Sequence, residues 1–228
     1  MTIISILLQA DTLTNAAAAA SKQQDISLWY LLMQGGVLMI PLLICSVLMV
    51  YVFVERLMAI RKASVTDPTF MARIREHITD GNLQAAKILS KNTTGPVARM
   101  IEKGLSRIGK PIDHIEKSME NAGKLEVYQL EKNLSILSTI AGIAPMFGFL
   151  GTIAGMIILF FNIQHQGFSI EGIASGIYTK MVTSAVGLII GLLSYVAYNY
   201  LNAQINKNVN RMESASVEFL DILHEPAK

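Results

Sequence analysis

The chain has 228 residues, of which 52 % are apolar and only 16 % charged, with a mean hydropathy of +0.43 and a formal net charge of +2. A soluble domain carries about 25 % charged residues, and here the deficit is concentrated in three long stretches almost free of charge. That distribution excludes an ordinary soluble core. It predicts an all-α polytopic membrane protein with three transmembrane helices, the second and third extending far into the cytoplasm.

Residues 1–27 read as a short polar tail, partly amphipathic, outside the membrane. Its apolar run Ile3–Leu8 has six residues and no basic residue before it. A signal peptide expects a charged start and about 7–15 apolar residues. The alanine-rich site that follows leaves cleavage open. The first span is residues 28–54, LWYLLMQGGVLMIPLLICSVLMVYVFV, without a charge. A hydrocarbon core of roughly 30 Å needs about 20 helical residues, so this stretch suffices. Cys45, the single cysteine, lies within it and is expected to be a small buried thiol.

Residues 55–133 form the predicted cytoplasmic helical domain. From Arg56 to Asn133 there are 14 Lys/Arg and 9 Asp/Glu, a balance of +5, whereas the N-terminal tail has one Lys and two Asp. Basic residues near membrane entries mark the cytoplasmic side. Arg56, Arg61, Lys62, Lys124 and Lys132 therefore place the N-terminus outside and the C-terminus inside. Asp67 is the expected N-cap of a helix with Pro68 in its first turn. From Pro111 an apolar or small face recurs at Ile115, Met119, Ala122, Leu125, Leu130 and Leu134. With no strong breaker before the next span, the pattern predicts one continuous helix entering the membrane.

The second span, residues 134–162, and the third, residues 172–202, are joined by an outside hairpin at 163–171 that lacks Lys and Arg. The second is uncharged; the third carries Lys180 alone. The helix of the third continues into a cytoplasmic tail, residues 203–228. Span two carries Gly142, Pro145, Gly148, Gly151, Thr152 and Gly155, of which 145, 148, 152 and 155 step along one face, and Gly176, Lys180, Thr183, Ser184, Gly187, Gly191 and Ser194 form a small stripe on span three. Two readings stand side by side. Small residues let helices approach closely in a membrane, which explains most of the glycines. Each hydroxyl can also bond back to its own helix, or Thr152, Thr183 and Ser184 can line a gap that holds water or a partner's polar group. No Asp or Glu lies at mid-depth, so a proton moved here takes its acid from a second protein. His77, His114, His165 and His224 have no metal-ligand spacing, and no nucleotide or hydrolase motif occurs. The chain is read as no enzyme, needing no cofactor and binding no nucleic acid.

The runs APMFGFLGTIAG (Ala144–Gly155) and VTSAVGL (Val182–Leu188) resemble the paired signatures of the ExbB/TolQ/MotA proton-channel family. Three spans and an outside N-terminus match ExbB and TolQ; MotA-type stators have four spans. The tail before span one favours ExbB, with a TolQ-like subunit energising envelope constriction as the alternative. The resemblance covers about residues 28–210. It implies a homopentamer in the bacterial inner membrane, among membrane lipids, around the single-span helices of an ExbD-like dimer whose Asp carries the proton. Protonmotive force then drives a TonB-like protein for outer-membrane nutrient import. It matches the family's span-two Thr to Thr152 and its span-three Thr to Ser184; together with the stripe, this makes Thr152, Ser184, Thr183, Gly148, Gly155 and Gly187 the expected proton pathway and Pro145, Gly151 and Gly191 the expected helix packing. Where the family has a Glu at the pore entrance, this chain has Thr179, followed by Lys180. A proline usual later in span three is Leu193.

Overall fold

A computed structural model describes residues 36–65, 67–167 and 170–224; the N-terminal tail and its cleavage question lie outside these residues. Among the described residues seven helices follow one another: α1 (Met39–Ser64), α2 (Phe70–Thr79), α3 (Leu83–Asn92), α4 (Pro96–Leu105), α5 (Ile112–Glu131), α6 (Leu134–Gln166) and α7 (Ile170–His224). Among the described residues no strand forms. Three helices are long and apolar enough to cross a membrane: α1, α6 and the stretch of α7 from Gly172. They expose large apolar side chains outward, including Leu43, Tyr51, Phe149, Ile157, Leu192 and Val196. A surface of that extent requires lipid or protein around it. The chain is a multi-pass membrane protein with three spans.

At 1.5 Å per residue the 55 residues of α7 run for about 80 Å, well beyond the roughly 30 Å of a hydrocarbon core. Both cores are built on it. Leu42, Val52 and Ile60 of α1, Leu137 of α6, and Leu201 and Ile205 of α7 form the first, around the membrane section. Phe70, Ile74, Ile101, Leu105, Met119 and Phe219 form the second, where α2, α4 and α5 wrap the C-terminal half of α7. Gly104 makes this second core possible, because a Cβ there would sit 2.7 Å from Met119 Sδ and 2.8 Å from Phe219 Cε1. Phe219 is wholly buried. Removing its ring costs about 3–5 kcal/mol in a packed core, so Phe219→Ala is expected to expose α2–α5 to limited proteolysis in membrane vesicles while the spans stay inserted. Unchanged protease resistance would show that α7 does not organise this domain.

The short helices are set by local chemistry. Asn82 Oδ1 accepts the Ala85 N–H at 3.1 Å and caps α3. Gly95, at φ +126°, allows the turn into α4, whose first residue is Pro96. Asp67 is not the N-cap expected of it: that position falls on Thr69, two residues later. Its carboxylate accepts the Thr69 N–H at 2.9 Å and the Thr69 hydroxyl at 2.7 Å, closing a turn ahead of α2. Those bonds hold Asp67 below the usual carboxylate range.

Two expectations about α5 change. The helix does not run unbroken into the membrane, because Asn133 adopts a left-handed conformation (φ +62°) and separates α5 from α6. Asparagine tolerates that region better than other side-bearing residues. Arg56, its side chain 9 % exposed, closes the break: Nη1 donates to the Gln129 carbonyl at 3.3 Å, near the C-terminus of α5, and Nη2 pairs with Glu55. The second change concerns the buried face. Leu125 is 65 % exposed, and Glu126 takes the inward position. Arg99 answers the buried charge, with Nε donating to Oε1 at 2.6 Å and Nη2 to Oε2, which joins α4 to α5. This bidentate geometry offsets the desolvation of the carboxylate.

Candidate functional site

The antiparallel pair of α6 and α7 is built on glycine. A Cβ on Gly187 would lie 2.7 Å from the Ala144 carbonyl oxygen and 2.9 Å from Gly148 Cα; one on Gly148 would lie 3.1 Å from the Ser184 carbonyl oxygen. One turn further along α7, Gly191 receives the Pro145 ring, at 2.5 Å from its would-be Cβ. In the other direction Gly151 receives Thr183 Cγ2 at 3.0 Å, Gly155 receives the stem of Lys180, and Gly176 receives Leu159. Each contact steps three or four residues along both helices, so a single ridge of each fits the other. Gly148, Gly155 and Gly187 thus pack within the chain, in line with Pro145, Gly151 and Gly191.

The hydroxyls separate by position on this ridge. Thr183 lies on it, fully buried, with its Oγ1 3.5 Å from the Thr179 carbonyl. Thr179 falls on one edge of α7 and donates to the Ser175 carbonyl at 2.9 Å. Ser184 falls on the other edge, half-buried. The register sets Thr152 at the same level and on the same edge, one residue past Gly151 as Ser184 is one past Thr183. A hollow of about 690 Å³ opens beside Ser184, its one polar lining residue, with Pro145, Phe149, Ile153 and Leu188 among its walls; Thr152 does not line it.

The two hydroxyls have different free capacity. Thr152 Oγ1 donates to the Phe149 carbonyl at 2.7 Å, which commits its proton and leaves its lone pairs available. Among the described residues, the Ser184 side chain has no hydrogen-bond partner, so it can donate and accept. One acceptor beside one donor matches a water molecule or a protonated carboxyl group. No carboxylate of α6 can compete, since the helix contains neither Asp nor Glu. Among the described residues no group of three His, Cys, Asp or Glu could hold a metal ion.

Two further polar groups are buried, Ser194 on the stripe expected for span three and Arg56 in a setting the sequence did not show. Ser194 is wholly buried on the α6–α7 ridge, and its Oγ has no partner among the described residues. It continues the Gly187–Gly191 steps, which was the available signal. Arg56 reads in the sequence as one more basic residue at a membrane entry; only the position of Gln129 reveals its second task.

The family model described as the MotA/TolQ/ExbB proton channel family matches residues 92–214, more than half of the chain, including both helices of this pair. The chain belongs to that family. Among relatives, the biopolymer transport protein ExbB homolog of Methanothermobacter thermautotrophicus is 25 % identical over 70 % of this chain and 57 % of its own length. The ExbB-like 1 protein of Synechocystis is 23 % identical over 85 % of this chain and 80 % of its own. TolQ of Haemophilus influenzae is 28 % identical over 49 % of each. The chain thus spans little more than half the length of the first of these relatives. The family is described as one of proton channels.

Proposed function

We propose that the chain is an ExbB-like motor subunit of the bacterial inner membrane, with its N-terminus periplasmic and its C-terminus cytoplasmic. In this reading five copies surround the single-span helices of an ExbD-like dimer. That partner supplies the Asp which is protonated from the periplasm and released toward the cytoplasm. The resulting movement works on a TonB-like protein that opens outer-membrane nutrient transporters. One observation carries the reading: Thr152 and Ser184 present free hydrogen-bonding capacity at one level, on a helix pair with no Asp or Glu in α6 or between residues 172 and 212 of α7.

The chemistry follows from that capacity. A protonated carboxyl donates to Thr152 Oγ1 and accepts from Ser184 Oγ, so it is held without an ionic partner. After release of its proton it keeps only the Ser184 bond. Thr183 and the glycines at 148, 155 and 187 form the rigid wall behind these two residues. The exposed Leu125 and Tyr128 of α5 supply apolar surface for the neighbouring subunit. A TolQ-like role is the second reading, motivated by the match to TolQ of Haemophilus influenzae.

Co-expression with a single-span partner and reconstitution of the complex in liposomes tests the proposal. Proton flux is expected with the partner's Asp intact and is lost when that Asp is changed to Asn. Flux that persists without the partner would overturn it. Recovery of iron-chelate uptake, as opposed to normal cell constriction, separates the ExbB-like role from the TolQ-like one.

A further inference from the structure

Lys180 is the one charged side chain of the α6–α7 pair between its outer end and the cytoplasmic domain whose setting the ridge packing leaves unexplained. Its stem lies so close over Gly155 that a Cβ there would be 2.2 Å from both Cγ and Cδ. The notch at Gly155 therefore exists for this side chain, and it draws the stem into the groove between the helices rather than outward along the lipid face. Lys180 is half-buried and has no hydrogen-bond or ion-pair partner among the described residues. An unanswered ammonium in such surroundings is costly.

The neighbouring elements offer it no acid. From Leu134 to Gln166, α6 has no Asp, Glu, Lys or Arg; its only titratable ring is His165, ten residues beyond Gly155 and bonded to the Phe161 carbonyl. On α7 the nearest titratable residues are Tyr178 and, nine residues away, Glu171; α1 brings no charge between Met39 and Val54. Lys180 stands one helical turn from Ser184 on α7, and Gly155 stands one turn from Thr152 on α6. The ammonium thus belongs to the same groove as the hydroxyls of Thr152 and Ser184, on their outer side.

We propose that Lys180 is a positioning counter-charge for the partner's carboxylate, pairing with its ionised form at the outer edge of the Thr152–Ser184 site. The inference rests on the motor-subunit reading given above. Its consequence is a division of labour: the hydroxyl pair favours the protonated acid, and Lys180 favours the ionised one. An opposite charge at about 4–6 Å lowers a carboxyl pKa by about 1–3 units. Loading a proton from the outside then requires a more acidic medium than in a complex without this cation.

The test uses the complete complex in liposomes, with proton flux measured against external pH. Lys180→Met keeps the stem over Gly155 and removes the charge; Lys180→Arg keeps the charge. With Lys180→Met the midpoint of the flux profile is expected to move alkaline by at least one unit, and with Lys180→Arg to stay near its original position. Flux in both variants with an unmoved midpoint overturns the proposal while leaving the motor-subunit reading intact. So does a variant effect that follows only the anionic-lipid content of the vesicles, since Lys180 then serves a headgroup phosphate. Absence of partner-dependent flux in the unaltered complex is the separate result that refutes the underlying reading.

Discussion

Replacing Gly187 with leucine is expected to abolish the native pairing of α6 and α7, and Gly187→Ala to weaken it by about 1–3 kcal/mol, the range for overpacking a filled core. The atoms a Cβ would meet are the Ala144 carbonyl oxygen, Gly148 Cα and Gly148 N, all backbone. No rotamer change can relieve such a clash; the helices have to separate. In a membrane, where apolar burial gives no net drive to helix association, close backbone approach is itself the source of attraction. Gly142 provides the control. A Cβ there meets nothing within 4 Å, so Gly142→Ala should be neutral or slightly stabilising through its better helix propensity. Thermal unfolding of the purified complex, read by intrinsic fluorescence and by size-exclusion profile, separates the two. A Gly187→Leu protein that elutes and melts like the original would show that this contact does not hold the pair together.

The second large effect concerns transport with assembly intact. Thr152→Ala combined with Ser184→Ala removes both hydroxyls and adds no atom, so the ridge of Gly148, Gly151 and Gly187 is untouched. A hydrogen bond within a membrane protein contributes about 1–2 kcal/mol at the upper end of measurements, and 1.4 kcal/mol is a factor of ten. Losing two should therefore lower partner-dependent proton flux by about a hundredfold. Thr183→Val, which removes a hydroxyl directed at its own helix carbonyl, is expected to leave flux nearly unchanged. Full flux in the double variant would remove these hydroxyls from the pathway. A flux loss in Thr183→Val equal to that of Ser184→Ala would mean that the edge of α7 facing the partner is not the one carrying Ser184.

The contrast between these residues shows where patterning is informative. Thr183 and Ser184 are adjacent, both hydroxylic and both in a small stripe, so periodicity treats them alike. The 100° turn between them puts one on the ridge against Gly151 and the other on the edge facing the hollow. Only the register of α7 against α6 distinguishes the two, and register depends on which glycine meets which. The same holds for α5. Its apolar spacing identifies Ile115, Met119 and Leu130 as buried, but Leu125 and Glu126 exchange their expected places because Arg99 arrives from α4 to neutralise the carboxylate. The break at Asn133 likewise lacks a proline or glycine to announce it.

The sequence by itself determined that this is a three-span helical membrane protein, which residues are small or polar inside the spans, and that no acid stands at mid-depth. Those properties follow from hydration energies: uncharged runs of 20 or more apolar residues have no other stable place, and each backbone polar group in lipid must be satisfied within a helix. The tertiary structure alone decided which hydroxyls have free capacity, that Gly155 is a notch for Lys180, and that Arg56 closes the end of α5. Each of these depends on contacts between residues far apart in the chain, at distances set by close packing of two backbones, which no local pattern encodes.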